Sequence, residues 1–292
     1  MARLFGLVGN RGDLAGRVLA HESAALRVRA RGSPLGWGVG FYQGGEVLMR
    51  RRPTDEREEI DVGKLTSDLR ADLLVGHVRS ATVGALRTEN THPFRYRQWL
   101  FAQTGTIPSF DAIRERLVAS VPEFLRAGIR GETDSEILFH VFLSFLHDAG
   151  RLGDGRADPG PVAEALRASL SLIDGMCAEV GGEPGMTNAV VTNGEFICAL
   201  YRGAPMAYRV FSGKGDAEAL MENDPALRRK TPELDSFHFS LVASDFDDES
   251  SPLVRRAGAN GLGRPEITGW KAVAEHAIVT LDRGQAPQIE RL

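Results

Sequence analysis

Five short polar stretches carry most of the residues in this 292-residue chain that could do chemistry. Four of them, residues 2–6, 77–84, 103–107 and 131–136, fall where apolar runs end or helices start. The fifth, Asn90-Thr91-His92-Pro93-Phe94, lies in the loop between two of the others. Such element ends are where binding and catalytic groups concentrate. Arg79 closes an apolar run. Its planar guanidinium suits a carboxylate, because two parallel charged hydrogen bonds fix orientation. A structural salt bridge at a strand end would use the same residue. Asp134 stands in a helix's first turn, where the macrodipole favours a carboxylate whether or not it also holds a cation. No other nucleophile stands out. Ser33 and Ser80 lack a histidine at triad spacing. Cys177, near a helix end, and Cys198, in an apolar strand, read as small buried hydrophobes. His140 and His238 read as packed core residues. The acidic run Asp245, Asp247, Asp248 and Glu249 reads as a solvated loop without a recognised metal spacing. The glycines of 258–263 follow no strand suited to a dinucleotide fold. No metal and no cofactor is expected.

The elements that must position these residues follow from pattern and punctuation. The chain enters an apolar strand at Arg3 with no leader of the signal-peptide kind. Termini fray unless tied down, so this strand is expected to be held inside the fold. A helix is expected from Asp13 to about Arg29, then a hairpin turning at Gly44-Gly45. Residues 50–59 read as charged and exposed, and residues 65–69 as a short helix. Strands follow over 73–79 and 99–102, and helices over 110–118 and 122–127. Thr133 and Glu136 form a capping box that opens a helix apolar nearly all round. A helix opening at Pro161 runs to about Glu179. Strands at 188–192 and 196–201 turn at Asn193-Gly194, and further strands lie at 208–211, 237–243 and 277–281. Residues 213–235 read as loop.

Composition narrows the function classes. A 42% hydrophobic and 25% charged chain has enough apolar residues for a real core. A net charge of −4 offers no basic field for nucleic acid or an anionic membrane. No apolar run reaches membrane-spanning length. Two cysteines make no disulfide framework, so a reducing cytoplasm is the expected compartment.

Several stretches acquire meaning together. Arg3-Leu4-Phe5-Gly6, Gly36-Trp37-Gly38, Gly76-His77-Val78-Arg79-Ser80-Ala81-Thr82, Asn90-Thr91-His92-Pro93-Phe94, Gly105-Thr106-Ile107 and Gly131-Glu132-Thr133-Asp134-Ser135-Glu136 resemble the class II glutamine amidotransferases. These are hydrolases of the N-terminal-nucleophile type, and the likeness is to their compact branch. Val191-Thr192-Asn193-Gly194 and Val242-Ala243-Ser244 extend it loosely into the second half. The resemblance implies an α+β fold, a four-layer αββα sandwich of two antiparallel sheets between helical layers, as one domain over 1–292. It implies a mechanism in which an N-terminal cysteine attacks the glutamine amide. An asparagine and the next glycine's amide then stabilise the oxyanion. Arg79 matches the arginine that grips the substrate carboxylate, with Thr82 beside it. Asp134 matches the aspartate that holds the α-ammonium. Asn90 and His92 match residues that pin the loop.

Two positions depart from that pattern. Ala2 occupies the nucleophile position, and a methyl group cannot form a thioester. Thr104 occupies the oxyanion-asparagine position, with Gly105 retained after it and Gln103 where a histidine is usual. Losing one such donor costs on the order of 10²–10³ in rate. An introduced replacement of cysteine would account for Ala2 but not for Thr104 and Gln103. The sequence therefore points to a relative that has lost glutamine hydrolysis. It would keep a glutamine-like small molecule between Arg79 and Asp134, and act as a sensor, regulator or partner subunit, with a protein partner or as a homo-oligomer. The alternative is an active glutamine amidotransferase or γ-glutamyl amide hydrolase in which Ala2 is an introduced change. A pure interaction module would instead show a large exposed apolar patch.

Overall fold

The computed structural model describes residues 2–30, 35–56, 59–80, 84–155, 158–246 and 269–292. Two antiparallel sheets dominate it. The larger has seven strands in the spatial order Trp270–Ala272, Met206–Ser212, His238–Ser244, Arg3–Gly9, Leu73–Ser80, Leu35–Gln43, Glu46–Glu56. The smaller has six, in the order Gln288–Arg291, Ala277–Asp282, Phe196–Arg202, Thr187–Thr192, Trp99–Gly105, Phe94–Tyr96. Each sheet combines strands from both halves of the chain; in the larger one they meet where Arg3–Gly9 pairs with His238–Ser244.

Side-chain alternation sorts the layers. In the strand Arg3–Gly9, Leu4 and Val8 join the core between the sheets, with Val75, Ala102, Val190 and Ile197. Phe5 and Leu7 point the other way, into a core with Val18, Leu19 and Leu26 from the helices Ala15–His21 and Ser23–Leu26. Because successive strand side chains face opposite sides, a strand covered on both faces must be apolar at every position, and this one is buried throughout. A third core packs the smaller sheet against the helices Phe110–Ser120, Asp134–Asp148 and Pro159–Glu179. Phe139 and Phe142 stack on Phe101 there, with ring centroids 5.2 and 6.3 Å apart. The order helix, sheet, sheet, helix is the expected four-layer sandwich.

Local departures have physical causes. The first expected helix stops early, and Arg27–Arg29 instead pairs as a strand with Glu59–Asp61. β-branched Val28 and Ile60 face each other in that pair and are buried. The hairpin's second strand continues through residues 50–56 beside Leu35–Gln43, so the charged segment is an edge strand, where charge guards against further pairing. The short helix lies at Val62–Leu65, capped by Asp61, whose carboxylate accepts from the Lys64 amide at 3.2 Å. Helices Gly213–Leu220 and Pro225–Lys230 occupy the region read as loop, the second capped by Asp224. The long later helix begins at Pro159 rather than Pro161. The strands Trp270–Ala272 and Gln288–Arg291 are both at sheet edges. They are short and polar enough to carry no alternating signal.

Candidate functional site

Four strand ends and one helix start meet at one edge of the sandwich. The pairing of the first strand sets the arrangement. Arg3 lies against Val78, and Leu4 against Ser244. One rung further, Ala2 is level with Arg79, and Asp245 is level with Arg3. The strand Trp99–Gly105 brings Gln103, Thr104 and Gly105 from the other sheet. The helix Asp134–Asp148 brings its first turn. Ala2, Arg79, Thr104, Gly105 and Asp134 all line one cavity of about 180 Å³. At roughly 30 Å³ per water, that is room for about six waters, the size class of one small amino acid. Thr82, Ser33, Asp247, Asp248, Glu249 and the glycines at 258–263 lie outside the described residues.

The helix start is held by two separate devices. Thr133 accepts from the Glu136 amide at 3.2 Å, as a capping residue should. The Glu136 carboxylate does not complete a reciprocal box. It accepts instead from the amides of Arg130 at 3.0 Å and Gly131 at 2.6 Å, tying down the chain before the helix. Asp134 is then fixed at both oxygens, accepting from the Ile107 amide at 2.8 Å and the Ser135 amide at 2.9 Å. Burial pushes its carboxyl above the usual range, and these hydrogen bonds pull it partly back. Ser135 donates to Gln103, whose side-chain amide donates to the Thr104 carbonyl at 2.8 Å. The strand Trp99–Gly105 and the helix start are therefore cross-tied.

Arg79 is buried, and its terminal nitrogens donate to the carbonyls of Ala85 at 3.2 Å and Gly84 at 3.0 Å. Burial lowers its pKa from the ordinary value, and the Asp134 charge opposes that shift. The two groups thus put opposite charges on one cavity wall. Asn90 supports them from behind. It donates to the Ala85 carbonyl at 3.0 Å and accepts from the Glu132 amide at 2.9 Å, linking the loop after Arg79 to the segment before Asp134. His92 takes no such bond. It packs its ring against His77, centroids 4.3 Å apart, and against Phe94 at 4.6 Å. None of the four ring nitrogens of His77 and His92 has a partner among the described residues. Burial is the main cause that drives His77 down to about 3 and lowers His92 well below the ordinary histidine value, so both rings are neutral.

The end of the cavity at Ala2 and Thr104 differs from what the sequence suggested. The Thr104 hydroxyl, which carries a single proton, donates to Asp245 Oδ2 at 2.7 Å. Ser244 donates to the same oxygen. Asp245 is therefore not part of a solvated acidic loop. It is partly buried, adopts a left-handed backbone with φ of 64°, and lines the cavity. Burial raises its pKa, offset by the two hydroxyl bonds and by the positive charge of Arg3. Gly105 has φ of 102°, and a Cβ there would sit 2.0 Å from the Met186 carbonyl oxygen, so only glycine fits this strand end.

Other candidates fall away. Cys198 is buried and its thiol is pushed up to about 12. The Cys177 thiol donates to the Pro108 carbonyl at 3.2 Å, and burial raises its pKa. His140 is buried with Nδ1 2.9 Å from the Glu136 carbonyl, whereas His238 is only partly buried. No group of three or more metal-ligating side chains occurs among the described residues. Among them, too, no helix is long and apolar enough to cross a membrane.

The chain is similar to known proteins in sequence and in fold. The Escherichia coli (strain K12) protein YafJ is 26% identical over 170 residues, which cover 56% of this chain and 59% of that one. The gamma-glutamyl-hercynylcysteine sulfoxide hydrolase of Mycobacterium tuberculosis (strain H37Rv) is 33% identical over 144 residues, 47% of this chain and 55% of that one. The chain thus spans little more than half the length of these relatives. The solved structure of a glutamine aminotransferase class-II domain protein from Silicibacter pomeroyi superposes with a TM-score of 0.56 at 16% identity. It covers 99% of this chain and 98% of that one, a likeness of fold. The family described as glutamine amidotransferases class-II matches residues 1–218, and the chain belongs to that family.

Proposed function

We propose that this protein holds a glutamine-like α-amino acid between Arg79 and Asp134 without hydrolysing its side chain, and that it works as a sensor, regulator or partner subunit. One observation carries the reading. Two buried, opposite charges share the wall of an amino-acid-sized cavity, while the position of the attacking group holds the Ala2 methyl. The Thr104 hydroxyl at the oxyanion position is committed to Asp245. A carboxylate and an ammonium on one ligand would meet Arg79 and Asp134 as charge-assisted hydrogen bonds, roughly twice as strong as neutral ones. Neither Ala2 nor Thr104 supplies what acyl transfer needs, namely a nucleophile and a donor aimed at the oxyanion. Binding would be read out through a protein partner or a second copy of the chain. Two free, buried cysteines fit a reducing cytoplasm.

A second reading is an active γ-glutamyl amide hydrolase in which Ala2 replaces a natural cysteine. The similarity to the mycobacterial hydrolase favours it, since the same two grips would serve any γ-glutamyl group. Calorimetric titration with L-glutamine, L-glutamate and γ-glutamyl amides tests the first reading, alongside an assay for released ammonia or glutamate. Saturable binding without turnover is expected. Absence of heat at millimolar ligand sinks the binding role, and turnover by the unmodified chain establishes the hydrolase.

A further inference from the structure

The far end of the cavity is built for a different ligand terminus from a γ-amide. A glutamine side chain presents a carbonyl oxygen, which needs donors, and an amide nitrogen, which needs acceptors. Thr104 gives its one hydroxyl proton to Asp245 at 2.7 Å, and Ser244 gives its proton to the same carboxylate oxygen. The groups at this end thus converge their donors on Asp245 and leave a carboxylate on the cavity wall. Arg3, the neighbouring cation, donates to the Ser244 carbonyl at 3.0 Å and lies over the Phe246 ring at 4.5 Å, on the strand leading away from the cavity. The wall then carries one positive charge at Arg79 and two negative ones at Asp134 and Asp245. A zwitterion such as glutamine engages Arg79 and Asp134 but brings no cation to Asp245, whose charge is offset from outside the cavity by Arg3 and the amino terminus.

A separate observation points to a ligand in the same space. The rings of His77 and His92 line the cavity, are nearly inaccessible, and have four nitrogens with no partner among the described residues. Buried polar atoms left without partners are costly. A polar ligand entering this cavity can supply some of those partners.

We propose that Asp245 makes this pocket selective for an α-amino acid whose side chain ends in an ammonium group at the reach of glutamine's amide nitrogen, with L-ornithine as the simplest example. Ornithine is glutamine's skeleton without the carbonyl oxygen that Thr104 no longer serves, and with a charged nitrogen where Asp245 stands. Its α-carboxylate and α-ammonium take Arg79 and Asp134, so the proposal rests on the binding role argued above. Glutamate places a carboxylate against Asp245 and is the ligand most disfavoured.

Calorimetric titration of the full chain with L-ornithine, L-glutamine and L-glutamate, repeated on Asp245→Asn and Arg79→Ala, tests it. The expected order is ornithine, then glutamine, then glutamate, with ornithine at least about tenfold tighter than glutamine. Asp245→Asn should remove that preference, and Arg79→Ala should weaken all three. Glutamine binding as tightly as ornithine to the unmodified chain overturns the selectivity and leaves the binding role standing. No binding of any of the three overturns both. Because the decisive comparison is between ligands on the unmodified protein, it holds even if a variant fails to fold.

Discussion

The two ends of one small cavity have been treated differently. At the end proposed to hold the ligand, Arg79 and Asp134 are anchored by backbone. Two carbonyls fix the guanidinium and two amides fix the carboxylate, and Asn90 ties the two segments together. At the reacting end, Ala2 offers a methyl, and Thr104 and Ser244 turn their hydroxyls onto Asp245. On the proposed function, a site of this kind separates binding from chemistry. Holding an amino acid needs fixed charges, which depend on backbone geometry shared by the whole fold. Reaction needs a nucleophile and an oxyanion donor, each set by one side chain. The second set can therefore change while the first stays in place.

The sharpest way to break this comparison is to restore the reacting end alone. An Ala2→Cys variant with residue 2 bearing the free α-amine supplies a nucleophile and its base. In that background Thr104→Asn supplies the missing donor and releases Asp245. The double variant is expected to release ammonia from glutamine on the order of 10²–10³ times faster than Ala2→Cys alone, measured by coupled ammonia assay. A double variant no faster than the single one shows that the holding end has drifted too.

The buried histidine pair gives the next largest effect, on stability rather than turnover. Folded His77 resists protonation down to about 3 because of burial, whereas the unfolded chain takes up a proton near the ordinary histidine value of about 6.5. Between these pH values the unfolded state binds more protons, so stability falls as pH drops. The slope is about 1.4 kcal/mol per pH unit for this one group. His92 is shifted in the same direction and adds to it. Denaturant unfolding at pH 7, 6 and 5 should show the loss, and His77→Phe should flatten the slope. A wild-type curve that stays level from pH 7 to 5 means that the rings are solvated and the cavity is wetter than its geometry indicates.

How much of this was legible in the sequence depends on where the information sits. The strand Arg3–Gly9 could be read because a strand buried on both faces is apolar at every step. That Arg79, Asp134 and Thr104 share one cavity could be read because short motifs keep their order along the chain. Asp245 could not. Its role depends on a contact with Thr104 across 141 positions, and beside Asp247, Asp248 and Glu249 it looks like any acidic loop residue. His92 was read as pinning the loop, yet the structure gives it ring packing and leaves the pinning to Asn90. The helices over 213–230 were hidden by polar residues, since partly exposed short helices carry little apolar periodicity.

Asn90 offers the finest test of the anchored end, because it shares a backbone oxygen with Arg79. The Ala85 carbonyl accepts from both Asn90, at 3.0 Å, and Arg79, at 3.2 Å. Asn90 is almost fully buried. Asn90→Ala removes that bond and the one from the Glu132 amide, and should cost about 1–3 kcal/mol of stability, as expected when buried polar partners are left unmet. Arg79 keeps its charge and its bond to Gly84, so ligand binding should weaken by less than tenfold, well short of Arg79→Ala. Unfolding curves and calorimetry on the same preparations read the two effects separately. Loss of stability with binding unchanged would mean that the guanidinium is positioned without the loop. Loss of both in proportion would place Asn90 among the residues that set the geometry of the grip.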